Sequence, residues 1–431
     1  MRFYSLHQQS PTVTFKEAVI KGIASDKGLY FPESINPLPK EFFENINSTS
    51  DHEIAFAMIK QFVGDEIPEK ELKEIIADTL NFDFPLIEIE KDVYSLELFH
   101  GPTMAFKDVG GRFMARCLSY FNKNNDHELT VLVATSGDTG GAVASGFLGV
   151  KGVNVVILYP SGMVSNVQEK QLTTLGQNIK ALEVNGTFDD CQQMVKTAFL
   201  DEEITNKIQL TSANSINVAR WLPQMFYFAF AYKHLINKQK KLVFSIPSGN
   251  FGNICAGMMA QQLGLPIDHF IASTNANRIV PNYMQSGNYN PLKSVQTISN
   301  AMDVGDPSNF IRIQNIYGND FEKLKNNMDS YSFTDDQTRD AMLKIYKSSD
   351  YITDPHGAVG YLGLKQYTNG KSNIQGIFLE TAHPVKFLEV VEPVIHKTIE
   401  FPPQIEEVIH KTKKATSISS YDELKGFLLE E

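Results

Sequence analysis

The sequence predicts an α/β protein: open, mainly parallel sheets with flanking helices, preceded by a mainly helical N-terminal domain. Three observations predict it. From about residue 93, short apolar runs alternate with helix-length amphipathic segments, as in sheets whose strands are covered on both faces. Before that point the chain carries mostly helical spacing. Finally, 431 residues exceed what a single hydrophobic core usually supports, so two or three domains are expected.

In order along the chain, residues 1–92 read as a cap. Segment 15–23 has helical spacing, 28–32 is an extended turn, and 51–63 and 69–80 are amphipathic helices. Buried strands are expected at 94–99, 130–135, 153–160, 179–184, 241–247, 269–274 and 374–381. Helices are expected at 111–121, 189–199, 218–235 and 389–396. Residues 93–240 then form a smaller α/β domain, and 241–431 a larger one that shares the 93–125 segment. The stretch 276–333 is rich in Asn, Gly, Ser and Tyr and reads as loops and short helices inserted over a site. From about 403 a polar, amphipathic tail is expected at the periphery.

Composition excludes several functions. The net charge of −11 comes from mixed acidic and basic residues, with no basic stripe for nucleic acid. Cys117, Cys191 and Cys255 are scattered, which suits neither a disulfide framework nor a zinc cage. The first fifteen residues carry no apolar core of signal-peptide length. The apolar runs near Val155 and at 225–232 are too short to span a bilayer, so a cytoplasmic address without membrane contact is expected. No HExxH or GxSxG motif is present, and no metal is expected. His100, His356 and His383 lie near motif segments, where hydrogen-bonding roles are expected.

The motifs fall at the carboxyl ends of expected strands, where open α/β sheets bind ligands. Residues 97–111 read ELFHGPTMAFKDVGG, which sets Lys107 in the first turn of a helix after a strand. The helix dipole and the apolar Met104, Phe106 and Val109 should lower its amine pKa, as imine formation with an aldehyde requires. A solvated surface lysine is the competing reading. Residues 247–253, PSGNFGN, form a small-residue turn between strand and helix. Ser248, Gly249, Asn250, Phe251, Gly252 and Asn253 suit a phosphate cup or an ordinary tight turn. A second loop, 134–146, offers Thr135, Ser136, Gly137 and Thr139 to a carboxylate, while Asp138 either repels such a ligand, caps the helix or faces another partner. Thr381 ends the last core strand, where its hydroxyl suits a ring nitrogen.

Together, the strand-end lysine, TSGDTGG, SGNFG and the late threonine resemble fold-type II pyridoxal-phosphate (PLP) enzymes, the tryptophan synthase β-like fold. The wording ELFHGPTMAFKDVGGRFMA, the opening FYSLHQQSPTVTFKEAVIKGIASDKGLYFP, TSANSINVARWLPQ (211–224) and ETAHPVKF (380–387) are similar to the threonine synthase family, in its branch with an extra N-terminal domain. That resemblance implies PLP bound covalently at Lys107, its phosphate held by residues 248–253, its ring nitrogen facing Thr381, and a substrate carboxylate at 135–139. Related families often place Asn where Asp138 stands, which leaves the partner of the ring O3′ open.

The implied reaction turns O-phospho-L-homoserine and water into L-threonine and phosphate by γ-elimination and β-hydration, with Lys107 moving most of the protons. Arg112, Asn217 and Arg220 are candidates for holding the substrate phosphate, and interdomain ion pairs are the alternative for the arginines. The runners-up are a serine/threonine dehydratase or another fold-type II PLP lyase, and a non-catalytic binder of phosphometabolites. The only partner expected besides the substrate is at most a second copy of the chain.

Overall fold

The computed structural model describes residues 1–123, 128–235 and 237–430. The ends of the 93–125 and 241–431 segments lie outside the described residues. Two stacks of strands organise the chain. In spatial order the larger sheet runs Met328–Ser332, His269–Thr274, Lys241–Pro247, Ile374–Glu380, Val93–Glu97 and Leu86–Glu90. Its neighbours are parallel except for Leu86–Glu90, which runs antiparallel to Val93–Glu97. The smaller sheet runs Thr416–Ile418, Ile179–Val184, Val153–Pro160, Leu129–Ala134 and Gln209–Ser212, parallel throughout. Every residue of Leu129–Ala134 and of His269–Thr274 is buried, as expected for parallel strands covered by helices on both faces.

The expected helices form with small shifts in their ends. Asp51–Val63 starts at a capping box in which Ser50 and Glu53 satisfy each other's backbone N–H, and Thr14 and Glu17 do the same for Phe15–Lys21. The segment 218–235 is not one helix. It breaks into Val218–Trp221, a tighter turn Leu222–Met225 and Phe226–His234, because Pro223 cannot donate the backbone bond that an unbroken helix needs.

Two expectations about organisation change. The cap has no core of its own: Phe15, Ile54 and Phe62 join one apolar cluster with Phe113, Phe226 and Phe244 of the sheet-bearing part. Leu86–Glu90, placed in the cap by sequence, is an edge strand of the larger sheet. The C-terminal tail lies at the periphery, as expected, and there Thr416–Ile418 adds an edge strand to the smaller sheet beside Ile179–Val184. The inserted stretch also ends in a strand, Met328–Ser332, paired with His269–Thr274.

Candidate active site

Strand order explains why the motifs meet. In the larger sheet Lys241–Pro247, Ile374–Glu380 and Val93–Glu97 are consecutive neighbours. Their carboxyl ends deliver the 248–253 loop, Thr381 and the turn leading to Lys107. From Lys241–Pro247 the chain proceeds to His269–Thr274 on one side, while Ile374–Glu380 lies on the other, so the loop opens at a switch point of the sheet. In the smaller sheet the neighbours Leu129–Ala134 and Gln209–Ser212 deliver the 135–139 loop and the 213–220 segment. These five strand ends enclose one cleft.

The turn before Lys107 is tightly held. The Phe106 N–H donates to the Thr381 carbonyl at 2.9 Å, and Ala105 bridges to Ala382, which brings Lys107 and Thr381 to the same cleft. Met104 takes a left-handed φ of 57°. Asp108, buried, accepts the Thr103 N–H at 2.9 Å and the Thr103 hydroxyl at 2.5 Å, closing the turn from the helix side. Helix Lys107–Asn122 then passes very close to the 218–221 segment. A Cβ at Gly110 would stand 2.3 Å from the Arg220 carbonyl oxygen, so a side chain there would push the two elements apart.

Lys107 begins that helix with its side chain 16% exposed. Burial pushes its amine below the usual lysine range. The neighbouring Asp138 carboxylate opposes this, while Lys386 and Arg220 reinforce it. The Asp138 carboxylate lies 3.9 Å from Lys107 Nζ through Oδ2, but its short contact is with Lys386, whose Nζ is 2.6 Å from Oδ1. Gln168 Nε2 also donates to Asp138 Oδ1 at 3.0 Å. Burial would raise the Asp138 carboxyl, but Lys386 and Lys107 outweigh it and hold the group ionised. Gly137 rather than Asp138 holds the helix cap position, and the Asp138 carboxylate is turned toward Lys386.

The 248–253 loop works through its backbone. The Ser248 hydroxyl donates to the Ile246 carbonyl, and Asn253 Nδ2 donates to the Pro247 carbonyl, both at 2.9 Å. These two bonds hold the turn together from within. Phe251 takes a left-handed φ of 61°, turning the chain into helix Gly252–Gln262. Gly249, Asn250, Phe251, Gly252 and Asn253 line the cleft, and Ser248 stands behind them, buried. Across the cleft, Thr135 Oγ1 accepts the N–H groups of Gly137 and Gly140, which shapes a loop that presents Thr135, Ser136 and Thr139 to the space beside Lys107.

The three candidates for a second anion site separate. Arg220 lines the cleft, buried, with one guanidinium nitrogen donating to the Ala213 carbonyl and Nε lacking a partner. Burial pulls its guanidinium down to about 10, against the opposing pull of Asp108. Arg112 is turned away: its guanidinium pairs with the Asp78 carbonyl and carboxylate, the latter at 3.3 Å, outside the cleft. Asn217 is also engaged elsewhere, accepting the Ala219 N–H and donating to the carbonyls of Val19 and Ser212. Sequence reasoning missed Asn214 and Ser215, which line the cleft beside Arg220. The short polar strand Gln209–Ser212, which would have marked TSANSIN as another strand-end loop, carries too little apolar signal to be read. The 300–304 part of the expected insertion lines the cleft, and His356 has the expected hydrogen-bonding role: it accepts the Ala301 N–H through Nε2 and faces Asp354 through Nδ1 at 3.0 Å.

The residues fit PLP. Gly249 is packed so tightly that an added Cβ would meet the Ala301 carbonyl oxygen at 2.7 Å, which leaves backbone rather than side chains facing a bound phosphate. The buried Arg220 Nε, Asn214 Oδ1 and Asn300 Oδ1 border the cleft with no protein partner. A lysine, a backbone anion cup and a strand-end threonine at the ends of parallel strands define the class, a fold-type II PLP-dependent enzyme.

The comparisons with known proteins agree. Residues 83–376 match the family model described as pyridoxal-phosphate dependent enzyme, residues 2–80 that of threonine synthase N terminus, and residues 357–427 that of threonine synthase, C-terminal. Threonine synthase of Haemophilus influenzae is 44% identical over 414 residues, 94% of each chain. The crystal structure of threonine synthase from Escherichia coli superposes with a TM-score of 0.93 at 38% identity, covering 100% of both chains. A PLP-bound threonine synthase from Brucella melitensis gives a TM-score of 0.93 at 31% identity, covering 100% of this chain and 99% of that one. This chain belongs to the threonine synthase family.

Proposed function

We propose that the chain converts O-phospho-L-homoserine and water to L-threonine and phosphate, with PLP held at Lys107, as a carbon–oxygen lyase. The observation that carries this reading is the pairing of two anion-holding sets around one buried amine. The 249–253 cup lines the same cleft as Lys107, and so do Asn214 and the buried Arg220, whose Nε has no protein partner. A cofactor phosphate and a substrate phosphate each need such a set. Ser136 and Thr139 remain for the substrate carboxylate.

PLP, when bound, supplies the electron sink that makes the substrate Cα and Cβ protons removable. The chain's own residues supply position and proton transfer. The neutral Lys107 amine, released when the substrate amine takes its place, is the base for the proton on Cα and returns protons along the same face. Arg220 holds the γ-phosphate by charge-assisted bonds as it leaves, and its buried setting strengthens those bonds. Thr381 lines the cleft, where its hydroxyl suits the ring nitrogen.

The test is a visible spectrum of the purified chain together with phosphate release from O-phospho-L-homoserine. The expected result is a band at about 410–420 nm and phosphate release, both abolished in Lys107→Ala. In Arg220→Ala the band should remain while KM for the substrate rises roughly 10- to 100-fold, the loss of a charged hydrogen-bonding partner. A band without phosphate release would hand the function to a dehydratase-like lyase.

A further inference from the structure

Lys386 follows the last core strand and the strand-end Thr381, in the short turn Pro384–Phe387. Its side chain is fully buried (0% exposed), a setting rare for lysine unless the ammonium is paired. Its Nζ makes two contacts, Asp138 Oδ1 at 2.6 Å and the Thr103 carbonyl at 2.9 Å. Both partners adjoin the reactive amine. Asp138 Oδ2 lies 3.9 Å from Lys107 Nζ, and Thr103 is bonded to Asp108, next to Lys107 in the chain. The proposed role of Lys107 in holding PLP assigns no part to Lys386, which does not line the cleft.

We propose that Lys386 is a positioning residue: by occupying the Asp138 carboxylate, it keeps that carboxylate from claiming Lys107, whose amine stays free to capture the PLP aldehyde. The inference rests on the reading of Lys107 given above.

Capture needs the neutral amine. The new bond joins Lys107 Nζ to the aldehyde carbon, and the aldehyde oxygen departs as water with the two amine protons. The charged groups facing Lys107 are Asp138, Lys386 and Arg220. Those facing Lys386 include Asp138, Asp108 and His383. Without Lys386, Asp138 is a lone buried carboxylate whose nearest remaining cation is Lys107, and the pair would settle as ammonium and carboxylate. Without Asp138, Lys386 and Arg220 would both press against a positive Lys107. Removing both charges leaves Lys107 near its native balance. The direction of the Lys107 shift agrees: Asp138 opposes it and Lys386 supports it.

The experiment measures the rate at which the full-length chain, freed of cofactor, captures added PLP, followed by the visible band from pH 6 to 10. The pH of half-maximal capture is compared in wild type, Lys386→Met, Asp138→Asn and the double variant. Lys386→Met should move it up by roughly one to three units and Asp138→Asn should move it down, the scale for a charge a few ångströms away. The double variant should return to within about half a unit of wild type. An unmoved midpoint in Lys386→Met overturns the proposal, as does a double variant that keeps the single variant's shift. If Lys386→Met does not fold, the opposite shift in Asp138→Asn and the return in the double variant carry the test. Absence of the band in wild type would instead fail the Lys107 reading itself.

Discussion

Glu380, the residue before Thr381, is fully buried with one carboxyl oxygen accepting the Asp354 N–H at 2.5 Å and the other without a partner. Burial, with Asp354 and Glu97 close by, pushes its carboxyl well above the usual range. The sign follows from linkage. A folded pKa above the unfolded value means that the folded chain holds a proton that the unfolded chain has lost. Stability from this group is whole below about pH 4.5 and declines as pH rises toward the folded value. Glu380→Gln removes that proton linkage. Urea midpoints should therefore fall less between pH 5 and 8 in Glu380→Gln than in wild type, by up to about 1.4 kcal/mol per pH unit. Equal slopes would show that Glu380 ionises freely. The residue scale is also where sequence reading is most uneven. Lys107 and the 248–253 loop are legible because their chemistry is local in sequence. The partner of Asp138 is not, since Lys386 lies far along the chain and only the sheet order brings them together.

Among elements, the 297–304 segment shows how the insertion serves the cleft. It packs on the 248–253 loop so closely that Gly249 faces the Ala301 carbonyl and the Met302 backbone. Asp303 holds the segment in shape through Thr297, Asn275 and Asn277. Burial raises the Asp303 carboxyl to about 6 against those bonds. Gly249→Ala must displace the cup or the segment. PLP affinity should drop at least about tenfold, the cost of roughly 1.4 kcal/mol of displaced packing, while the fold melts almost as in wild type. Fluorescence titration with PLP measures the first and calorimetry the second. Long apolar strands and strongly periodic helices were readable here because burial on both faces leaves a plain signature. The edge strands Gln209–Ser212 and Met328–Ser332 were not, since each keeps a partly exposed face and a polar composition.

Over the whole molecule, Arg312 joins segments far apart in sequence. Its buried guanidinium donates to the Tyr30 carbonyl of the cap at 3.0 Å, the Ile216 carbonyl beside the substrate segment at 2.6 Å and Asn309 Oδ1 at 2.5 Å, and lies 4.8 Å from the Trp221 ring. Burial lowers the guanidinium to about 9. Arg312→Met leaves those acceptors without a donor, and should cost about 3 kcal/mol or more in a urea melt. It should also raise KM for O-phospho-L-homoserine, because the 214–220 segment loses its tie to the cap. A loss of stability with unchanged KM would confine Arg312 to a packing role. No sequence pattern announces such a residue, because two of its acceptors are backbone carbonyls from stretches far from it in the chain.

The strand Thr416–Ile418 has a consequence for how the chain is made. It is synthesised after every other described strand, yet it pairs with Ile179–Val184, laid down more than halfway earlier in the sequence. While the chain emerges from the ribosome, that edge of the smaller sheet stands open, an unpaired row of backbone groups of the kind that invites wrong partners. The larger sheet is held back too, since Val93–Glu97 waits for Ile374–Glu380. Neither sheet closes early, so the nascent chain depends on its helices and apolar cap contacts to stay sheltered until the late strands arrive.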